Sequence, residues 1–260
     1  MADCRPDLTV AITAHNEGIV AGPTISSAEA AIACIEAAGL CVERLIGLDN
    51  PTPECSEFFT QEALSDWTLH HFQFADPFLV RNALAAKARG RWIAFVDADD
   101  LISENWLQEA TRLLSVAEEK GEKIIVHPEL NWIFEGSDWV FVKPDQLSDM
   151  FNPYFFYTAN YYDMMSVYPV EAVRSVPYDN RDIAHGFGYQ DWQWNVQVMA
   201  AGWRHAVADD TVIFKRRRAD SVSVQNSKRN AVIRAVDELG VGRIHELVEL
   251  SGPSREPKKF

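Results

Sequence analysis

The sequence predicts an α/β fold with a mixed, mostly parallel sheet flanked by helices. Strand and helix patterns alternate through the first half of the chain, and one strand pattern, Trp92 to Val96, is continuously apolar. Polar clusters follow three of the strand patterns. This alternation is typical of βαβ units, and a continuous apolar run is typical of a central parallel strand. The 260 residues, 47% of them apolar, are expected to form a single domain with a sizeable core.

Each element of the first half is predicted by local signals. Short β-branched or apolar runs predict strands, whereas the Ser26-x-x-Glu29 capping box, Pro77 and the glycines mark helix ends. The strands are expected at residues 8–13, 42–48, 68–74, 92–96 and 123–127. The helices are expected at residues 28–38, 54–64, 77–88 and 104–120, with Asp100 or Ser103 capping the last of them.

The second half loses this rhythm and is rich in aromatic residues from 132 to 177. Core and edge strands are the first interpretation of these residues, and a sugar-binding surface is the alternative. Further on, the pattern predicts a helix at 191–201, a strand at 211–214 followed by a basic run, a helix at 230–250 and a frayed tail at 251–260.

Charge and composition exclude several classes of protein. The 24 basic and 38 acidic side chains give a net charge of −14, which argues against a nucleic-acid-binding protein. The four cysteines form no CxxC pair, so neither a zinc site nor a disulfide framework is indicated. No apolar run is long enough for a membrane span and the N-terminus lacks a signal-peptide core. A cytoplasmic protein is expected, with any membrane contact peripheral.

Three polar clusters mark a candidate site at the ends of predicted strands. They are 14–17, 49–50 and 97–100. Ligands of open α/β sheets bind at the carboxyl ends of the strands, so we expect these clusters to converge. Asp97 and Asp99 would be partly desolvated there beside like charges, a conflict that a divalent cation with oxygen ligands resolves.

Several ordered segments resemble the GT-A glycosyltransferases of family 2. Residues 81–100, which end in Asp97-Ala98-Asp99-Asp100, resemble the stretch of that family that ends in its DxD motif. Residues 11–17 resemble its opening strand and turn, and residues 43–54 resemble its second strand and the following loop. Gly188 to Asn195 is similar to its "ED" segment, with Gln190 in place of the usual Glu, and Ala201-Gly202-Trp203 is similar to its closing glycine segment.

The resemblance implies a Rossmann-like GT-A fold and a set of site residues. Donor-binding residues would be Ala14, His15, Glu17, Asp49, Arg81, Asp97, Asp99, Arg216 and Arg218. Asp99, with Asp97 as a second candidate ligand, would bind the Mg²⁺ or Mn²⁺ that holds the diphosphate, and Arg216 and Arg218 would neutralise phosphate. Asp191 would be the general base. His185, Gln190 and Trp192 are candidates for the acceptor side.

The implied activity is inverting transfer of a sugar from a nucleoside-diphosphate sugar, with UDP favoured, to a hydroxyl of a glycan or glycolipid. Residues 1–127 would form the nucleotide-sugar half, 128–225 the acceptor and catalytic half, and 226–260 a C-terminal helix and tail. Two alternatives stay open: an inactive nucleotide- or carbohydrate-binding module of the same fold, and a sugar-phosphate nucleotidyltransferase. The sequence leaves the oligomeric state open.

Overall fold

The computed structural model describes residues 5–136, 138–218 and 221–249 of the chain. Its strands are β1 (Leu8–Ala14), β2 (Val42–Asp49), β3 (Thr68–Phe72), β4 (Trp92–Asp97), β5 (Leu101–Ile102), β6 (Ile124–Phe134), β7 (Trp139–Val142), β8 (Val167–Pro169) and β9 (Arg204–Arg216). Its α-helices are α1 (Ala21–Ala37), α2 (Pro53–Phe59), α3 (Pro77–Lys87), α4 (Trp106–Lys120), α5 (Val170–Ser175), α6 (Gln190–Ala200), α7 (Val222–Lys228) and α8 (Glu246–Glu249).

One sheet joins all of these strands, in the order β3-β2-β1-β4-β8-β6-β9-β5, with β7 paired to β6. The first half is parallel: β1 pairs with β2 and β4, and β2 pairs with β3. In the second half β6 and β9 run parallel, whereas β8, β7 and β5 are antiparallel to their neighbours. The predicted fold class, a mixed and mostly parallel sheet flanked by helices, is confirmed.

Helices cover both faces of the sheet, which explains why its central strands are apolar throughout. Side chains alternate along β4 between two buried clusters. Trp92, Ala94 and Val96 pack with α1 and α4, whereas Ile93 and Phe95 pack with α3, α5 and α6. The continuous apolar run therefore serves two cores at once.

The predicted start of the first helix is wrong. The helix begins at Ala21 rather than at residue 28, so the Ser26-x-x-Glu29 pattern lies inside it. The helix extends toward its N-terminus because its first turns are buried, and the Thr24 hydroxyl donates to the carbonyl of Ala98, 3.0 Å away. Pro23 is tolerated there because a first-turn residue needs no intrahelical N–H partner.

The cap assigned to the fourth helix is also wrong. Its N-cap is Asn105, without a side-chain cap hydrogen bond. The Ser103 hydroxyl instead accepts from the backbone N–H of Val212 at 3.0 Å, which holds the β5 region against β9. The second helix ends at Phe59, so that residues 62–64 form a separate 3₁₀ turn.

The C-terminal segment differs most from the expectation. The helix predicted at 230–250 does not form over the described residues. Only Glu246–Glu249 is α-helical, and Asp237–Leu239 forms a 3₁₀ turn. Ile244 and Leu247 are fully buried in a small cluster against α6, so side-chain anchoring rather than helix periodicity sets this path. The tail at 251–260 lies outside the described residues.

The strand predicted at 211–214 is the last part of β9, which begins seven residues earlier. The first part of β9 was not predicted because Asp209 and Asp210 interrupt the apolar pattern of the sequence. Asp210 has a φ of 59°, and the register of β9 against β6 shifts at Pro128/Leu130. This irregularity accommodates the two acidic residues, and the strand continues into Lys215 and Arg216.

Gly90 holds β1 and β4 close together, and replacing it by alanine is expected to destabilise the fold by about 1–3 kcal/mol. A Cβ atom at this position would lie 2.6 Å from the Thr9 backbone nitrogen and 2.8 Å from the Leu8 carbonyl carbon, and neither atom can rotate away. Urea unfolding measures the change. Gly22→Ala is the control, because nothing lies within 4 Å of a Cβ there. Equal stability of the two variants would contradict the prediction.

Candidate active site

A cavity of about 620 Å³ opens where β1, β2 and β4 end. The last residues of these strands, Ala14, Asp49 and Asp97, all line it. The three polar clusters of the sequence are thus brought together, as expected for the carboxyl ends of parallel strands. The cavity extends to residues of the second half of the chain, among them Asp191 and Lys215.

The first turn is organised by Glu17. This buried carboxylate accepts the backbone N–H groups of His15 (2.7 Å) and Asn16 (3.1 Å), and Arg218 donates to it at 2.6 Å. The exposed imidazole of His15 is tied to the second strand end, because Nδ1 lies 2.6 Å from the carbonyl oxygen of Asp49. Glu17 therefore shapes the turn, and His15 and Asn16 are its exposed residues.

Asp49 fixes the segment that precedes α3. Its carboxylate accepts the backbone N–H groups of Phe74 (2.7 Å) and Asp76 (3.0 Å), on either side of Ala75, whose φ is 53°. Asp76 in turn caps α3 and accepts the backbone N–H of Arg181 at 2.6 Å. This wall of the cavity is held by carboxylates that bind backbone, so its shape is set before any ligand enters.

Asp97 is an ionised carboxylate between two cations. Arg81 donates to it, and Lys215 Nζ lies 3.6 Å away. Burial alone would raise the pKa of Asp97, but these two cations and the hydroxyl of Thr13 lower it below its ordinary value. Arg81 itself is only 3% exposed, so its charge is directed at Asp97 rather than at solvent.

Asp99 and Asp100 are the carboxylates of this cluster whose pKa values are raised. Burial, with Asp100 and Asp97 adding like charge, raises the pKa of Asp99 to about 7 against the opposing effect of Arg218. Burial raises the pKa of Asp100 to about 6, although Lys215 Nζ lies 2.7 Å from it. Asp100 does not cap α4, because it accepts Lys215 and the backbone N–H of Arg216 instead.

The basic run 215–218 lies along the cavity rather than on a solvated surface. Arg216 donates to the backbone carbonyl of Asp99 at 3.2 Å and pairs with Glu135. Arg218 bridges Glu17 and Asp99, with its Nε atom 2.9 Å from Asp99 Oδ2. Lys215, which was predicted only as part of the basic run, lies between Asp97 and Asp100, and the adjacent carboxylates raise its pKa above its ordinary value despite burial.

Asp191 lies in the first turn of α6 and lines the cavity. The N-cap of the helix is Tyr189, with a φ of 55° and no side-chain cap hydrogen bond, so Asp191 is not the cap. Burial, with a smaller contribution from the charge of Asp163, raises the pKa of Asp191 to about 6, while Lys215 and Arg81 oppose the shift. Such a carboxylate is suited to accept a proton near neutral pH.

The three acceptor candidates do not line the cavity. His185 is 77% exposed and pairs with Asp182, because the 3₁₀ turn that carries it faces solvent. Gln190 is buried and donates to the carbonyl of Asn180, 3.3 Å away, so it holds the loop behind the helix. Trp192 packs against the small cluster around Phe156. These residues lie on other faces of the segment, and their role on the acceptor side stays a prediction.

Three further residues in and behind the cavity lining were not predicted from the sequence. Asn131 and Asp163 line the cavity, and the buried Lys143 lies behind them, 3.1 Å from Asp163. They come from three separate segments, and no spacing connects them. Only the lone lysine in an aromatic-rich region could have drawn attention.

The carboxylates fit a divalent cation only in part. Among residues 5–136, 138–218 and 221–249, no group of three or more His, Cys, Asp or Glu side chains could hold a metal ion. Asp99 and Asp97 therefore supply at most part of a coordination shell. Mg²⁺ and similar ions accept such sites, since one or two carboxylates suffice when substrate phosphates and water provide the other oxygens. Burial and the neighbouring carboxylates raise the pKa of Asp99 although Arg218 opposes the shift.

Comparisons with known proteins agree with this fold. Residues 9–126 match the family described as glycosyl transferase family 2. The crystal structure of S. aureus TarS 1-349 in complex with UDP-GlcNAc has a TM-score of 0.59 at 13% identity, covering 83% of this chain and 60% of that chain. No curated protein sequence matches the chain.

A second solved structure is similar over more of its own length. It is the mannosyltransferase PcManGT from Pyrobaculum calidifontis in complex with GDP-Man and Mn²⁺, with a TM-score of 0.60 at 15% identity. The match covers 95% of this chain and 70% of that one. This chain thus spans less than two thirds of the TarS structure with UDP-GlcNAc, at 60%, and 70% of the mannosyltransferase.

The chain has the GT-A fold of these glycosyltransferase structures. The matched segment, residues 9–126, includes the strands β1 to β4, the DxD motif and the start of β6. Among the described residues, no helix is both long and apolar enough to span a bilayer.

Proposed function

We propose that the chain transfers a sugar, with inversion, from a nucleoside-diphosphate sugar to a hydroxyl group of a glycan or glycolipid. UDP is the favoured nucleotide. The observation that carries this proposal is that one cavity contains both the donor-side carboxylates and arginines at the strand ends and a separate carboxylate, Asp191, with a pKa raised to about 6. A single displacement needs these two parts: a site that stabilises the leaving diphosphate and a base for the attacking hydroxyl.

The donor would lie along the strand ends. The nucleoside would contact the wall formed by Ala14, His15 and Asp49, and the diphosphate would extend toward Asp99 and Arg218. Asp99, with Asp97 as a second ligand, would hold a Mg²⁺ or Mn²⁺ ion, which supplies Lewis-acid stabilisation of the departing phosphate charge. Arg81 keeps Asp97 ionised and in place for that contact.

The acceptor would enter from the side of the second half, so that its hydroxyl meets Asp191. Asp191 takes the proton of that hydroxyl as the oxygen attacks the anomeric carbon and the nucleoside diphosphate leaves. One carboxylate is enough because no glycosyl-enzyme intermediate forms. The structural neighbours support a nucleotide-sugar donor, since one binds UDP-GlcNAc and another GDP-Man.

We further propose that the protein acts in the cytoplasm, with any contact to a membrane surface peripheral, and that it does not bind nucleic acid. The net charge of −14 supports the last point. Residues 1–127 would form the donor half and residues 128–225 the acceptor half of a single domain.

A panel of nucleotide sugars tests the proposed function. The protein is mixed with UDP-, GDP- and dTDP-sugars and Mn²⁺, and thermal stabilisation and release of nucleoside diphosphate are measured. We expect stabilisation by at least one donor, with UDP-sugars preferred, because a ligand that binds only the native state raises the melting temperature. Binding of a donor without turnover on any acceptor would favour an inactive binding module. No binding of any donor would contradict the proposal.

Replacing Arg218 by alanine is expected to raise the donor KM by at least about tenfold, because a charge-assisted hydrogen bond to phosphate is worth about 1.5–3 kcal/mol. Arg218 already contacts Asp99, so its guanidinium is close to the diphosphate position. Arg216→Ala should have a smaller effect, since Arg216 is engaged with Glu135. Arg112→Ala, a mostly exposed arginine on α4, is the control. Wild-type donor kinetics in both cavity variants would show that the run does not serve the donor.

A further inference from the structure

Part of the cavity lining comes from the β6–β7 hairpin. Asn131 pairs with Phe141 and Ile133 pairs with Trp139, so these four residues share one face of the hairpin. Asn131, Ile133 and Trp139 line the cavity. Trp132 belongs to the opposite face, where it pairs with Val140 and its ring packs against Phe214.

Trp139 presents an apolar surface to the cavity. Its side chain is 46% exposed although it lines a concave site. A large aromatic face with an N–H group at its edge suits a ligand that is apolar on one side and polar around its rim. A sugar ring has this character, since C–H groups project from its face and hydroxyls from its edge.

Asn131 adds an unsatisfied hydrogen-bond acceptor to the same wall. The residue is 8% exposed, and its Nδ2 atom donates to the carboxylate of Asp163. The amide orientation is fixed, because a flipped amide would direct its oxygen at a carboxylate, which only accepts. Its Oδ1 atom is buried and has no hydrogen-bond partner among the described residues. Such an atom is costly unless a ligand or water donates to it.

Asp163 is well held. Its Oδ1 atom accepts the backbone N–H of Met165 at 2.8 Å, and Lys143 Nζ lies 3.1 Å from its Oδ2 atom. Burial would raise the pKa of Asp163, but Lys143 and Lys215 lower it below its ordinary value, so the carboxylate is ionised. The Lys143 side chain is fully buried and pairs with Asp163.

This wall lies beside both the assigned base and the DxD motif. The charge of Asp163 contributes to the electrostatics of Asp191 and of Asp97. A ring that lies on Trp139 would share the cavity with the group that we assign as the base.

We propose that Asn131 and Trp139 form a subsite for a sugar ring of the acceptor, with Trp139 stacking on the C–H face of the ring and Asn131 Oδ1 accepting one of its hydroxyls. Asp163 and Lys143 are positioning residues that fix the amide of Asn131. The subsite rests on the proposed glycosyl transfer and deepens it, because it makes the acceptor a carbohydrate rather than a lone hydroxyl of a polyol or a protein side chain.

The chain provides a closely matched pair of variants for the test. Trp139 and Trp132 are equally exposed, at 46%, and come from the same hairpin, but they lie on opposite faces of it. Trp139→Ala, Trp132→Ala and Asn131→Ala are compared with the wild type. The probes are octyl glycosides of glucose, galactose, mannose and N-acetylglucosamine. Transfer is followed with the preferred nucleotide sugar, glycoside binding by saturation-transfer NMR with UDP present, and UDP affinity by calorimetry.

We expect Trp139→Ala and Asn131→Ala each to raise the acceptor KM by about tenfold with kcat changed far less, the signature of lost ground-state binding. The UDP affinity of both variants should match the wild type, and Trp132→Ala should match it in every measurement. A higher acceptor KM with unchanged UDP affinity separates the subsite from a structural role, because a misfolded wall would also weaken UDP binding.

Each other outcome counts against one specific claim. Equal acceptor KM values for Trp139→Ala and Trp132→Ala would overturn the subsite, as would a wild-type protein that binds UDP but neither binds nor glycosylates any glycoside of the panel. Failure to bind any nucleotide sugar would instead overturn the proposed function. If Asn131→Ala does not fold, as judged by circular dichroism, the comparison of the two tryptophans still decides the proposal.

Discussion

Asp191→Asn is expected to lower kcat of sugar transfer by about 10²–10⁴-fold, the contribution of a general base. Asparagine has the size of aspartate but cannot accept the proton of the attacking hydroxyl. The variant should fold and should bind UDP and Mn²⁺ like the wild type, because Asp191 is not among the strand-end residues that face the donor. Steady-state transfer kinetics with calorimetry of UDP binding separate these two properties.

The structure removes the main competing role of Asp191. A lost helix N-cap costs about 0.5–2 kcal/mol of stability. Tyr189 occupies the N-cap position of α6, so the Asn variant should melt close to the wild type. Asp182→Asn is the matched control: this carboxylate lies in the same approach segment, outside the cavity, and its capping of a 3₁₀ turn is a role that asparagine also fulfils. It should keep the wild-type kcat.

The pH profile provides an independent test of the base. Because the pKa of Asp191 is raised to about 6, half of the enzyme holds the protonated, inactive form at that pH. The transfer rate should rise with pH and level off above about 7, and fall about tenfold per pH unit well below 6. The residual activity of Asp191→Asn should lack this limb. If the variant retains most of the wild-type rate, the base is another group, and His185 is too exposed to replace it.

Removal of divalent ions is expected to weaken binding of UDP by at least about a hundredfold, because the ion carries several kcal/mol of the interaction with the diphosphate. Asp99→Ala should have a similar effect in the presence of Mn²⁺, and EDTA should then cause no further loss. The reason is the negative charge at the end of β4. Asp97, Asp99 and Asp100 line the cavity there, and they would repel the diphosphate of UDP unless a cation lies between them. Calorimetry of UDP with Mn²⁺, Mg²⁺ or EDTA measures all three cases.

Asp149→Ala is the control for this series, since Asp149 is exposed and lies outside the cavity. It should keep both the affinity and the metal dependence of the wild type. Equal UDP affinity with Mn²⁺ and with EDTA would contradict the metal role and would leave the diphosphate to cationic side chains such as Arg218. Loss of UDP binding in Asp99→Ala without any effect of EDTA would assign Asp99 a role in positioning Arg218 instead.

Local signals in the sequence determined the first half of the fold and the place of the site. Buried parallel strands are short apolar runs, and the polar residues that end them must lie at one edge of the sheet. Ala14, Asp49 and Asp97 were therefore identifiable without coordinates. The start of α1 and the C-terminal segment were predicted wrongly, because burial of Thr24 against Ala98 and anchoring of Ile244 are contacts between distant parts of the chain.

Only the tertiary structure decided how charges and walls are arranged around that site. Arg218 meets Glu17 across 201 residues of sequence, which turns a basic run into part of the cavity. Asn131, Lys143 and Asp163 come together from three segments. His185 faces solvent although it lies near Asp191 in the sequence. Hydrogen bonds and ion pairs of this range depend on which strands become neighbours in the sheet, and no local pattern of residues encodes that pairing.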